Sequence, residues 1–167
     1  KGFVTGYAND FDKKYAIDEV RFWDFLETTQ PEELAKLQRQ SDWKLRILDR
    51  YDRLIKRHGV LRLLKKGLEI DDAHFTLFYQ YPLASSSETV KENFEKNQFS
   101  VTRQLCYSQA NPREEIDMVL FLNGIPLITM ELKNHWTGQT AKVQGQHQYK
   151  YDREITQPLL QFARCIV

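Results

Sequence analysis

Residues 117–133 constrain the fold of this chain more than any other stretch: DMVLFL, then Asn123-Gly124, then IPLITMELK. Two apolar runs of strand length separated by Asn-Gly read as a β-hairpin. Side chains alternate faces along a strand, so Glu131 and Lys133 are expected to project together, with Met130 and Leu132 in the opposite, apolar layer. Charges beside a core must be solvated, paired or metal-bound, so an acid and an amine at the end of such a strand suggest a use.

Register decides whether Asp117 joins them. A two-residue Asn123-Gly124 loop pairs Leu122 with Ile125 and sets Ile116 opposite Glu131, leaving Asp117 on the wrong side. A three-residue loop of Leu122, Asn123 and Gly124, with Gly124 left-handed, pairs Phe121 with Ile125 instead. This bulged register is the expected one. It sets Asp117 against Thr129 with Glu131 on the adjacent diagonal, where Cβ atoms lie roughly 7 Å apart. Two carboxylates so placed reach one Mg²⁺ (or Mn²⁺), an ion that often takes one or two carboxylates and leaves positions for water and a phosphate oxygen. A bound metal would polarise a phosphodiester and acidify a water. Lys133, a point charge on a flexible stem, would orient that water or neutralise charge developing on the phosphate. By itself Glu-x-Lys reads first as a surface salt bridge on an edge strand, and the sequence around it is what favours a nuclease site.

Asp117…Glu131-Leu132-Lys133 resembles the PD-(D/E)xK nuclease signature, with Ile116 standing where the signature has its proline. The longer runs NGIPLITMELKN (123–134) and TGQT (137–140), together with FSVTRQ (99–104) and QYKYDR (148–153), are similar to the nuclease domain at the N-terminal end of type I restriction endonuclease R subunits. The likeness is strongest over residues 97–167 and continues through TQPEELAKL (29–37) and DDAHF (71–75).

The resemblance implies an α/β, restriction-endonuclease-like fold: a mixed central β-sheet flanked by helices, with an additional N-terminal helical portion. It implies a single nuclease domain over 1–167, mainly helical over 1–96 and with the catalytic core over 97–167, excised from a longer chain that carries a C-terminal ATP-dependent motor. The implied activity is Mg-dependent type I site-specific deoxyribonuclease. Its catalytic residues would be Asp117, Glu131, Lys133 and Gln148, and its metal ligands Asp117 and Glu131. Gln148 corresponds to the family's helix glutamine, although Asp152 stands where Q-x-x-x-Y has tyrosine. Glu19 is one candidate for a further family acid on an early helix. Implied partners are double-stranded DNA and the specificity and methyltransferase subunits of a restriction complex. The alternative is a non-catalytic module that docks DNA or a partner subunit.

A net charge of +1 gives no global sign of a polyanionic partner, so any DNA contact must be local. The candidate patch runs over 44–66, with Arg50, Arg53, Lys56 and Arg57 as DNA-binding residues. Leu45, Leu48, Ile55, Leu61 and Leu64 thread through it as an expected buried stripe, and a solvated helix face is the competing interpretation. No G-x-x-x-x-G-K-[ST] occurs, so ATP is expected only at the motor of the full-length protein. Cys106 and Cys165 lack zinc spacing and are expected to fill the core of a cytoplasmic protein. No run is long enough to cross a membrane as a helix.

The remaining pattern predicts helices over 17–28 (with Val20, Trp23 and Leu26 on the buried stripe), from Pro31, to about His58 with Gly59 as a break, to about Gly67, and over 90–96. Strands are expected over 75–81 and 99–107, a turn over 110–114, a helix over 140–152, and a last strand from about Gln161.

Overall fold

The computed structural model describes residues 2–132, 147, 153, 156–162 and 165–166. In chain order the elements are β1 (Val4–Thr5), a 3-10 turn at Ala8–Asp10, β2 (Phe11–Asp12), β3 (Ile17–Asp18), α1 (Glu19–Thr29), α2 (Pro31–Leu37), α3 (Trp43–His58), α4 (Val60–Lys66), β4 (Leu68–Ile70), β5 (Ala73–Phe75), α5 (Glu88–Glu95), β6 (Phe99–Cys106), β7 (Glu115–Leu122), β8 (Ile125–Met130), α6 (Pro158–Phe162) and β9 (Cys165–Ile166). Among the described residues the main sheet is mixed, in the order β1-β6-β7-β8-β9. β1 runs parallel to β6 and β8 to β9, while the two central pairings are antiparallel.

Helices form where the sequence supplies both a stripe and an end signal. Asp18 caps α1 by accepting the Arg21 N–H, and Phe22, Trp23, Phe25 and Leu26 are its buried side. Val20 is exposed, correcting its place on the expected stripe, and residues 17 and 18 belong to β3 rather than to the helix. Pro31 opens α2 at its first turn, with Glu32 and Glu33 near the positive end. α3 stops at Gly59 and α4 at Gly67, both at φ 77°. Their buried residues are Ile47, Leu48, Tyr51, Ile55, Val60 and Leu63; Leu45 and Leu61 face solvent.

Two expected strands differ from the observed elements. Of 75–81 only Phe75 is in a strand, because β5 pairs with β4 for three residues and residues 76–81 have no ladder partner. Gln161 lies in α6, and the last strand is β9. Cys106 is half-buried with its thiol against Glu115 Oε1 at 3.3 Å, so it is a rim residue rather than core filling.

The hairpin turn is tighter than expected. Asn123 and Gly124 have φ 51° and 78°, both left-handed as a two-residue turn of the I′ kind requires, and Leu122 pairs with Ile125. The environment holds this turn. The buried Asn123 carboxamide donates to Leu77 O at 2.9 Å and Asn97 Oδ1 at 3.1 Å and accepts the Gln98 N–H at 2.7 Å. Gly124 lies against the start of α1, where a Cβ would come within 2.5 Å of Asp18 O and 2.6 Å of Phe22 N.

The extra residue sits elsewhere. Phe121 pairs with Pro126 but Leu120 with Ile128, so Leu127 is inserted in β8. Pro126 has no N–H for a ladder, and proline within a sheet is accommodated at bulges. Beyond this point Val119 pairs with Thr129 and Met118 with Met130. Asp117 therefore comes opposite Glu131 itself rather than opposite Thr129.

Candidate functional site

Continuing the Met118–Met130 register by one residue makes Asp117 and Glu131 direct cross-strand neighbours. Residues so paired have Cβ atoms roughly 5 Å apart, nearer than the expected diagonal. The tight turn and the bulge at Leu127 together leave both carboxylates on the face that carries Val119 and Thr129. This face is the packed one: Glu131 is only 8% exposed whereas Leu132 is 60% exposed. The expected layers are thus exchanged, with the acid inward and Leu132 towards solvent.

Asp117 is half-buried because the sheet changes its packed side at this point. Val119 and Phe121, with Ser100 and Thr102 across from them on β6, are buried on one face. Ile116 and its partner Leu105 are buried on the other. Gln104, across from Asp117, takes φ 49° where β6 makes this change. One carboxylate oxygen of Asp117, Oδ2, accepts the Leu132 N–H at 2.7 Å, which ties the chain just past β8 to β7.

Glu131 Oε1 accepts from Arg153 Nη2 in a close, largely buried ion pair. The Arg153 guanidinium also lies over the Tyr107 ring, 5.8 Å from its centroid, and the Tyr107 hydroxyl donates to Glu114 Oε2 at 2.5 Å. Burial works against the charge on Arg153, but the fields of Glu131 and Tyr107 prevail and hold it more firmly protonated than a free arginine. Burial, then the Glu114 hydrogen bond, pushes the Tyr107 phenol up. Sequence reasoning does not single out Arg153, Tyr107 or Glu114 as site residues. The available signal is the QYKYDR segment, which contains Arg153.

Two opposed carboxylates are hard oxygen donors of the kind Mg²⁺ takes, so this pair fits a divalent cation. Among the described residues no group of three or more His, Cys, Asp or Glu side chains comes together as a metal cluster. Lys133, Gln148 and nearly all of the expected 140–152 helix lie outside the described residues. Glu19 is removed from the pair: it begins α1, beside the Gly124 turn, and the strand from Gly124 to Glu131 spans roughly 20 Å. Its carboxylate accepts the Trp23 indole N–H at 3.2 Å.

Residues 12–167 match the family described as Type I restriction enzyme R protein N terminus. The chain belongs to this family. Comparisons with curated proteins and with solved structures gave no match. The family match covers the Asp117–Glu131 pair, Arg153 and α3 alike.

The α3 cations divide into paired and exposed groups. Arg50 Nε donates to Glu69 O at 3.1 Å, Arg53 Nε to Asp49 O at 3.3 Å, and Lys56 pairs with Asp52 at 2.7 Å. Arg57 is exposed. Arg46, Arg50 and Arg53 line a cleft of about 380 Å³ against β4, and Arg50, His58, Arg62 and Lys66 line an adjoining one of about 200 Å³. The acids lining these clefts each have a partner: Asp49 has Tyr15, Asp71 has Arg46 and Glu69 has His74. Desolvation by its neighbours, then the positive charges of Arg62 and Arg57, lowers the pKa of the exposed His58. Among the described residues no helix is long and apolar enough to cross a membrane.

Proposed function

We propose that this segment is the metal-dependent DNA endonuclease of a type I restriction system, hydrolysing phosphodiester bonds at the Asp117–Glu131 rim. The observation that carries this reading is the direct opposition of two carboxylates at the open end of β7 and β8, within a chain of the R protein N-terminal family. Asp117 and Glu131 would hold Mg²⁺ or Mn²⁺. When bound, a divalent cation polarises the phosphodiester and lowers the pKa of a water. Asp117 is pre-positioned for this by its bond to the Leu132 N–H.

Lys133, two residues along from Glu131, is assigned the orienting or charge-neutralising role, and Gln148 a supporting one. Double-stranded DNA is the substrate, and the cations of α3 contact its phosphates, Arg50 and Arg53 from the clefts beside β4 and Lys56 and Arg57 from the exposed side of the helix. Specificity and methyltransferase subunits select the site, and ATP serves the motor of the full-length protein.

The test is cleavage of duplex DNA with Mg²⁺ by Asp117→Asn, Glu131→Gln and Lys133→Ala variants that still fold and bind DNA. Loss of cleavage in all three supports the reading. Retained cleavage in the Asp117 or Glu131 variant overturns it in favour of a docking module.

A further inference from the structure

Arg153 reaches Glu131 in an unusual way for a purely structural arginine. A guanidinium fixed to a carboxylate for stability normally offers two parallel N–H groups, and the geometry of the fork is its advantage over lysine. Here the contact to Glu131 is through Nη2, while Nε is buried without a hydrogen-bond partner. The pair is nearly removed from solvent, with side-chain exposures of 10% and 4%. A buried carboxylate without a counter-charge is strongly disfavoured, so Glu131 needs a cation beside it whether or not metal is bound. An incomplete fork fulfils that need while leaving one donor of Arg153 unsatisfied.

The Tyr107 ring supplies the other half of the arrangement. It lies under the guanidinium at 5.8 Å and is itself fixed by its hydroxyl bond to Glu114 and by the Tyr107 N–H to Glu114 O. A planar cation over an aromatic face keeps a favourable position when its carboxylate contact is given up. Arg153 therefore has somewhere to stay if Glu131 turns to another partner.

We propose that Arg153 is the resident counter-cation of the site, neutralising Glu131 until a divalent ion is bound between Asp117 and Glu131, and yielding the carboxylate to that ion while remaining over Tyr107. This rests on the metal-dependent reading given above and adds to it a competition: the same carboxylate oxygen serves arginine or metal. Glu131 then faces a cation in both states, and the arginine sets how much metal is needed to fill the site. The apparent metal affinity is reduced by the fraction of molecules in which Glu131 is held by Arg153.

The experiment measures Mn²⁺ binding by calorimetry, and thermal unfolding in EDTA and in Mn²⁺, for the wild type, Arg153→Gln and the doubly neutral Glu131→Gln/Arg153→Gln. Arg153→Gln is expected to bind Mn²⁺ ~10-fold or more tightly than the wild type. It is also expected to unfold at a lower temperature in EDTA, with the deficit recovered in Mn²⁺. If it does not fold without metal, recovery of its native circular dichroism on refolding with Mn²⁺ supports the exchange, and no recovery overturns it. The double variant should fold in EDTA and lose tight Mn²⁺ binding; tight binding there removes Glu131 from the ligand set and overturns the exchange. Equal Mn²⁺ affinity in wild type and Arg153→Gln overturns this inference alone, whereas no Mn²⁺ binding to either overturns the metal-dependent reading with it.

Discussion

Asn123 and Asp117 are both polar residues of one hairpin, yet they are constrained for opposite reasons. Asn123 is 1% exposed, and its carboxamide bonds to Leu77, Asn97 and Gln98 hold it in a left-handed conformation. Asn123→Ala takes the side-chain partner from Leu77 O and from the Gln98 N–H, leaves Asn97 Oδ1 with the Tyr79 N–H alone, and puts alanine at a left-handed φ; it is expected to lower unfolding free energy by ~3 kcal/mol in urea titration. Asp117 by contrast accepts a backbone N–H, that of Leu132, which an asparagine oxygen also accepts. Asp117→Asn is therefore expected to keep the fold and to lose DNA cleavage by on the order of 100-fold or more, measured in single-turnover assays with Mg²⁺. At this scale the sequence makes Asp117 and Glu131 visible through their spacing from Asn-Gly. It does not reveal Arg153 as Glu131's partner, because an ion pair 22 residues apart leaves no periodic trace.

Elements carry the next level of constraint. α2, α3 and α4 are legible because proline and glycine mark their ends and an apolar stripe marks their inner side. A strand over 75–81 is not found because aromatic content reports burial as readily as β-pairing: Phe75 and Leu77 are buried, but only Phe75 lies in β5. The start of α1 makes a testable pH contribution. Burial raises the Asp18 carboxyl above its ordinary value, against the pull of the Arg21 N–H and guanidinium. The folded state then holds the proton to higher pH than the unfolded one does. Asp18's contribution is full below the ordinary carboxylate value and is lost as pH rises through the raised one. Asp18→Asn, which keeps an oxygen for the Arg21 N–H, should flatten stability across that interval in denaturant titrations. On α3, single Arg53→Ala and Arg57→Ala variants are expected to weaken DNA binding uniformly across sequences and to reduce the salt slope by about 1 each. An unchanged slope would leave the solvated-face interpretation of those arginines.

The whole molecule joins its helical first half to its sheet through one apolar cluster that runs from Phe11 and Phe22, through Ile47 and Tyr51 of α3, to Val119, Phe121 and Leu159. Trp23 and Trp43 pack edge to face within the helical part, whereas most strand signal arises from β6, β7 and β8. In a Trp136→Phe variant, fluorescence of Trp23 and Trp43 and hydrogen exchange of the β6, β7 and β8 amides should therefore report coincident urea transitions; separated midpoints would mean that residues 1–96 and 97–167 unfold as independent units. The sequence by itself determined the hairpin, the helices with marked ends, the proximity of an Asp, a Glu and a Lys in one segment, and the family resemblance. Local signals suffice for these, because turn chemistry and hydrophobic period act over a few residues. Only the tertiary structure decided the register, the inward face and the neighbours of Glu131. Asn-Gly permits more than one loop length until Asn97, Leu77 and α1 close around it, and a strand apolar on both sides does not say which side will be covered. The chain brings its two carboxylates together by a bulge at Leu127, whose position depends on how Pro126 meets β7.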